Sequence, residues 1–131
     1  MKLLLDTHIW LWALTDLSQL SPAVRREVGR PENEVWLSPV SSWEALLLHS
    51  KGRLGLRITT SVRDWLVEAT SYFREAPLTH EIVLRSQELA LPQQDPADRF
   101  LAATASALGL TLVTQDRELL KVPGISTLAN H

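Results

Sequence analysis

The chain has 131 residues, 13 Lys and Arg against 15 Asp and Glu, no Cys, and a formal net charge of −2. That length suits one domain, and a composition 45% hydrophobic and 21% charged excludes a disordered tail or a fibre. Without Cys there are no disulfides, thiolate zinc sites or cysteine nucleophiles, and the mild acidity argues against coating nucleic acid by bulk positive charge.

Leu3-Leu4-Leu5 is a short apolar run without polar alternation, as expected of a strand covered on both faces. Asp6, Thr7 and His8 cut that run too early for a secretory leader, and nothing approaches the roughly 18 apolar residues of a membrane span. The expectation is a cytoplasmic protein, neither secreted nor inserted. Ile9–Leu14 is apolar around a whole helix, so Trp10 and Trp12 read either as buried or as anchors for a partner. Ser21-Pro22 opens the next helix, Val35-Trp36-Leu37 is a second buried strand, and Ser38-Pro39 opens a helix that Gly52 closes. Val62, Trp65, Leu66 and Ala69 recur at helical spacing, as do Ile82, Val83, Ser86, Leu89 and Ala90. Asp95-Pro96 starts a helix through Phe100, Leu101, Thr104 and Leu108, closed by Gly109, and Leu110–Thr114 is a third strand. Trp36, Trp43 and Trp65 sit at periodic positions and are expected in the core. No repeat or linker interrupts the chain, so 1–131 is read as a single α/β domain with a parallel sheet. Ligands of such sheets lie beyond the carboxyl ends of the strands.

Carboxylates collect at that edge. Asp6 directly follows the first strand, and Asp116 follows the Leu110–Thr114 strand by two residues. Glu44 lies early in the helix after the second strand, and Asp98 in the first turn of the helix opened by Asp95. Simpler roles exist for most of them. Ser41-Ser42-Trp43-Glu44 matches a capping box, Asp95 and Asp116 suit N-caps, and Asp98 suits a helix dipole. Asp6 is harder to explain that way, because a carboxylate between two apolar runs is costly to bury without a cation. Several acids in one crevice would repel each other unless an ion sat among them, and oxygen-only ligation suits Mg2+ or Mn2+ rather than zinc. Hydrolysis of a phosphate ester is the chemistry implied.

Leu4-Leu5-Asp6-Thr7-His8 with Trp10-Leu11-Trp12-Ala13-Leu14 resembles the first motif of PIN-domain nucleases. Ser38-Pro39-Val40-Ser41-Ser42-Trp43-Glu44 looks like the second, Asp95-Pro96-Ala97-Asp98-Arg99-Phe100 and the residues to Ala105 like the third, and Thr114-Gln115-Asp116 like the fourth. The pattern is most similar to the VapC-type toxins of toxin–antitoxin pairs. That resemblance implies a three-layer α/β/α sandwich around a short parallel sheet and a Mg2+- or Mn2+-dependent endoribonuclease. Asp6, Glu44 and Asp98 would be its core metal-holding acids, and Asp116 would complete the site. Asp95 matches an extra acid of that branch. It further implies an RNA substrate, a homodimer, and a VapB-like antitoxin whose basic tail enters the cleft, with DNA contacted only through that antitoxin.

Around these acids, Thr7 and Thr114 could orient a carboxylate, while Arg99 and Arg117 could hold a phosphate or neutralise neighbouring acids. None of His8, His49, His80 and His131 shows ligand spacing. Three other readings remain: a receiver-like domain, a non-catalytic Mg-binding interaction module, and a DNA nuclease or phosphatase on similar metal chemistry. Setting Asp6, Glu44, Asp98 and Asp116 aside leaves 13 basic against 11 acidic residues, so the surface outside the cleft is mildly basic.

Overall fold

A computed structural model describes residues 1–91 and 95–131. In chain order the elements are β1 (Lys2–Leu5), α1 (Thr7–Thr15), a 3-10 turn at Leu17–Gln19, α2 (Pro22–Gly29), β2 (Glu34–Leu37) and α3 (Pro39–Ser50). They continue with α4 (Val62–Thr70), β3 (Arg74–Glu75), α5 (His80–Glu88), α6 (Pro96–Leu108), β4 (Thr111–Thr114), α7 (Arg117–Leu120) and β5 (Ser126–Ala129). The strands form one sheet in the order β3-β2-β1-β4-β5, and every neighbouring pair is parallel.

Leu3, Leu4 and Leu5 are all wholly buried, because both faces of β1 are covered. Leu3 and Leu5 turn to one face with Leu37 and Val113, where Ile9, Trp10, Val24, Ala45 and Ala69 of α1 to α4 pack on them. Leu4 and Leu112 turn to the other face, against Leu101, Ala102 and Ala105 of α6 and Leu119 of α7. The result is the three-layer α/β/α arrangement that the strand pattern and the family resemblance both suggest. Each leucine buried this way contributes about 2 kcal/mol by removal of apolar surface from water. Trp10 is fully buried as well, and its indole N–H donates to the Ala69 carbonyl at 3.1 Å, tying α1 to the end of α4.

Helix starts follow the sequence signals. Ser21, Ser38 and Asp95 each accept a backbone N–H from the first turn, with Pro at the first helical position. Gly109 closes α6 at φ 64°, a left-handed conformation that suits glycine.

Several expectations are corrected. Ser38 caps α3, so Ser41 and Glu44 lie inside the helix and form no capping box. Leu110 is not in β4; its N–H closes α6 on the Ala105 carbonyl. Trp36 and Trp65 do pack against the core, but Trp43 is 55% exposed on the outer side of α3. Strands β3 and β5, which no apolar run marks in the sequence, are edges with one neighbour each and no buried residue.

Winding outward from β1, the chain adds β2 and β3 on one side and β4 and β5 on the other. The reversal falls between β1 and β4, and a crevice opens beyond their carboxyl ends. This 3-2-1-4-5 order also differs from the 2-1-3-4-5 order of receiver domains.

Candidate metal centre

Asp6 leaves β1 with its backbone N–H still bonded to the Val113 carbonyl at 3.0 Å, and it caps α1. One carboxylate oxygen accepts the His8 backbone N–H at 3.2 Å, and the other accepts the Thr114 hydroxyl at 2.6 Å. Burial raises its pKa above the ordinary carboxylate value, and the bonds from Thr114 and His8 oppose that rise. The Thr114 oxygen in turn accepts the Asp116 backbone N–H at 3.1 Å. One buried hydroxyl therefore joins the acids that end β1 and follow β4.

Glu44 enters from α3. The Thr7 hydroxyl donates to its carboxylate and also bonds Ser41 Oγ at 3.0 Å. Burial pushes the Glu44 pKa up, Thr7 pulls it back, and the charges of Asp6 and Asp95 push it further up.

The α6 end of the cleft holds a third raised carboxyl. Asp98 stands in the first turn of α6, and its pKa is pushed up to about 7, first by burial. The charges of Asp95, Asp6, Asp116 and Glu44 all add to that rise, in that order. Five carboxylates thus share one electrostatic field. Asp95 and Asp116 also cap helices, accepting the Ala97 N–H at 3.0 Å and the Glu118 N–H at 2.9 Å. Capping and lining the cleft coexist in both residues.

Together Asp6, Glu44, Asp95, Asp98 and Asp116 line a cleft of about 350 Å³, with His8, Ile9 and Gln115. Among the described residues, no three His, Asp or Glu side chains converge closely enough to ligate one ion as they stand. Mutual repulsion is a sufficient reason for acids to spread around a cleft instead of closing on a point. As a donor set they fit a hard divalent cation: all oxygen, no thiolate, and enough negative charge to raise the Asp98 pKa.

Other candidates are distributed unevenly. Thr7 and Thr114 both contact site acids. Arg99 sends one of its bonds away from the cleft, to the Ser86 carbonyl of α5 at 2.9 Å. Arg117 is exposed beside Asp116 and forms no ion pair among the described residues. Two contributors had no sequence signal of their own: Ser41, buried behind Thr7, and Gln115, lining the cleft between Thr114 and Asp116.

Residues 3–125 match the model of the PIN domain. The chain is 32% identical to Ribonuclease VapC22 of Mycobacterium tuberculosis over 119 residues, which is 88% of each chain. Among solved structures it is similar to VapBC2 from Rickettsia felis bound to a DNA fragment from their promoter, with a TM-score of 0.75, 18% identity and 100% of both chains covered. Against DNA-bound VapBC from Salmonella typhimurium the TM-score is 0.67 at 15% identity over 98% of each chain. At these identities the two structures speak to the fold.

Proposed function

The chain belongs to the PIN-domain family, in its VapC-like branch, and on that premise we propose that it is a divalent-metal-dependent endoribonuclease held inactive by a VapB-like antitoxin. The observation that carries the reading is Asp98, whose carboxyl is raised to about 7 by burial and by the four other acids of the same cleft. The kinship to a ribonuclease supports RNA as substrate, and the likeness to VapBC assemblies supports an antitoxin partner. A homodimer belongs to the same proposal.

Asp6, Glu44 and Asp98 would hold Mg2+ or Mn2+, with Asp116 and Asp95 at the rim. A bound ion of that kind supplies Lewis acidity at the scissile phosphate and lowers the pKa of water. The chain's own contribution is positioning. Thr114 fixes the orientation of Asp6, Thr7 that of Glu44, and Ser41 backs Thr7. Asp98 can hold a proton near neutrality in the ion-free cleft and release it as positive charge enters. The same excess of carboxylates complements a basic segment of an inhibitor.

The test is incubation of the partner-free protein with total RNA or single-stranded DNA, in Mg2+, Mn2+ or EDTA. RNA cleavage that EDTA stops, and that separately purified antitoxin stops when added back, is expected. Cleavage of DNA alone, or hydrolysis undiminished by EDTA, would overturn the reading.

A further inference from the structure

The α3–α4 connection holds a strong charge asymmetry. Between Glu44 and Asp64 the chain carries Lys51, Arg53, Arg57 and Arg63 and no acid. The segment is anchored. Gly52 and Gly55 take positive φ, the Arg53 N–H bonds the Leu48 carbonyl at 2.8 Å, and Leu54, Leu56 and Ile58 pack against the core. With those apolar residues held inward, the alternating Arg53 and Arg57 stand exposed on the outer side. None of Lys51, Arg53 and Arg57 takes part in an ion pair among the described residues.

This basic edge runs into the carboxylate cleft. His8 lines the cleft and also a groove of about 410 Å³ that includes Trp12, Arg53 and Gly55. Gly55 is shared again with a hollow of about 370 Å³ that reaches His49 and Arg57. Within the groove the His8 and Trp12 rings lie 5.8 Å apart, tilted by 31°. The groove's own acid, Asp16, is engaged by Ser18 and Gln19.

We propose that this groove is the track along which single-stranded RNA enters the cleft, with Arg53 and Arg57 on its phosphates and the His8–Trp12 pair offering a face to an unpaired base. The proposal rests on the ribonuclease reading above. Its logic is complementarity: acids that gather a cation repel a polyanion, so affinity for the strand must come from cations beside the cleft. A basic groove with an aromatic face is what sequence-tolerant binding of a single strand uses.

The probe is a fluorescein-labelled single-stranded oligoribonucleotide of about 12 nucleotides, titrated by anisotropy in EDTA over a salt series. Arg53→Ala/Arg57→Ala is expected to weaken binding roughly tenfold or more and to shrink the slope of log K against log salt by about 1.4, two phosphates at about 0.7 each. In cleavage assays its KM should rise while kcat at saturating RNA stays within about twofold, since uniform binding is what is lost. Lys2→Ala, at the amino end of the central strand β1 and so away from the carboxyl-end cleft, should change neither slope nor KM. Trp12→Leu, checked for an unchanged unfolding transition, should weaken binding several-fold by removing the aromatic face. An unaltered salt slope and KM in the double variant would overturn the proposal and leave the arginines for an acidic protein partner. Wild-type protein that cleaves no RNA would instead sink the ribonuclease reading, which the binding titration does not depend on.

Discussion

On one wall of the cleft, Asp6 and Glu44 are each held by a threonine hydroxyl, while on the other Asp95 caps α6 and Asp98 stands in its first turn. Both walls bury carboxylates, and burial is the first cause of every raised pKa there. Their second causes differ. For Asp6 and Glu44 it is a hydrogen bond that favours the charged form; for Asp98 it is the negative charge of Asp95. One wall is oriented by hydrogen bonds, and the other is under a repulsion that a bound cation would relieve. A site built this way combines positional order with a strong demand for positive charge.

The repulsive wall should fail most completely. Asp98→Asn removes a proposed metal ligand and is expected to lower RNA cleavage roughly a thousandfold or more, with the fold intact by circular dichroism. Full activity, with metal contamination excluded, would refute the site. Next come the threonines. Thr114→Val and Thr7→Val keep shape but lose the bonds to Asp6 and Glu44, and each should cost about 10–100-fold in metal affinity or activity. If isothermal titration with Mn2+ shows no loss in either, the ordered wall has no functional meaning.

The contrast also predicts a pH dependence of stability. Asp98 is raised from 3.8 to about 7, so between those values the folded state keeps a proton that the unfolded chain has released. Its contribution therefore turns unfavourable as pH rises through that window, and the full cost is present above about 7. Because Asp98 is only half-buried, solvent screening reduces that cost to about 1–2 kcal/mol. Thermal unfolding in EDTA should show a Tm that falls from pH 5 to pH 8, and Asp98→Asn or added Mn2+ should flatten the fall. A wild-type slope identical to that of the variant would place the perturbation elsewhere.

How much of this was legible in the sequence depends on what each residue's role rests on. Leu3–Leu5, Val35–Leu37 and the Ser-Pro and Asp-Pro caps are local patterns, and local patterns map onto β1, β2 and the starts of α2, α3 and α6. Strand β3 has two exposed residues, and β5 is an edge read as Ser-Thr-Leu-Ala, so neither carries a burial signature. The five acids stand out because carboxylates are conspicuous at strand and helix ends. Thr7 and Thr114 stand out beside them as well, but not which acid each one holds: Thr114 meets Asp6 across 108 positions, and Thr7 meets Glu44 across 37. Trp43 fails for a similar reason. Helical spacing gives a face, and only packing shows that the face looks outward. The Arg53–Arg57 alternation was present in the sequence, but four cations spread between residues 51 and 63 do not read as a basic run.

The smallest effect separates two roles in one residue. Asp95 caps α6 through the Ala97 N–H and is also the leading charge raising Asp98. Asp95→Ser retains a capping oxygen, so stability should change by only a few tenths of a kcal/mol. The same change removes a negative charge from the repulsive wall, so the Asp98 carboxyl should titrate lower, as followed by NMR of the carboxyl carbon. Less repulsion also means a weaker hold on the cation, and cleavage should fall less than about tenfold, well short of Asp98→Asn. Loss of cleavage as deep as in Asp98→Asn would make Asp95 a full ligand and bring both acids of that wall into direct contact with the ion. An unmoved Asp98 titration would show instead that burial alone sets its proton affinity, and the difference between the two walls would reduce to depth.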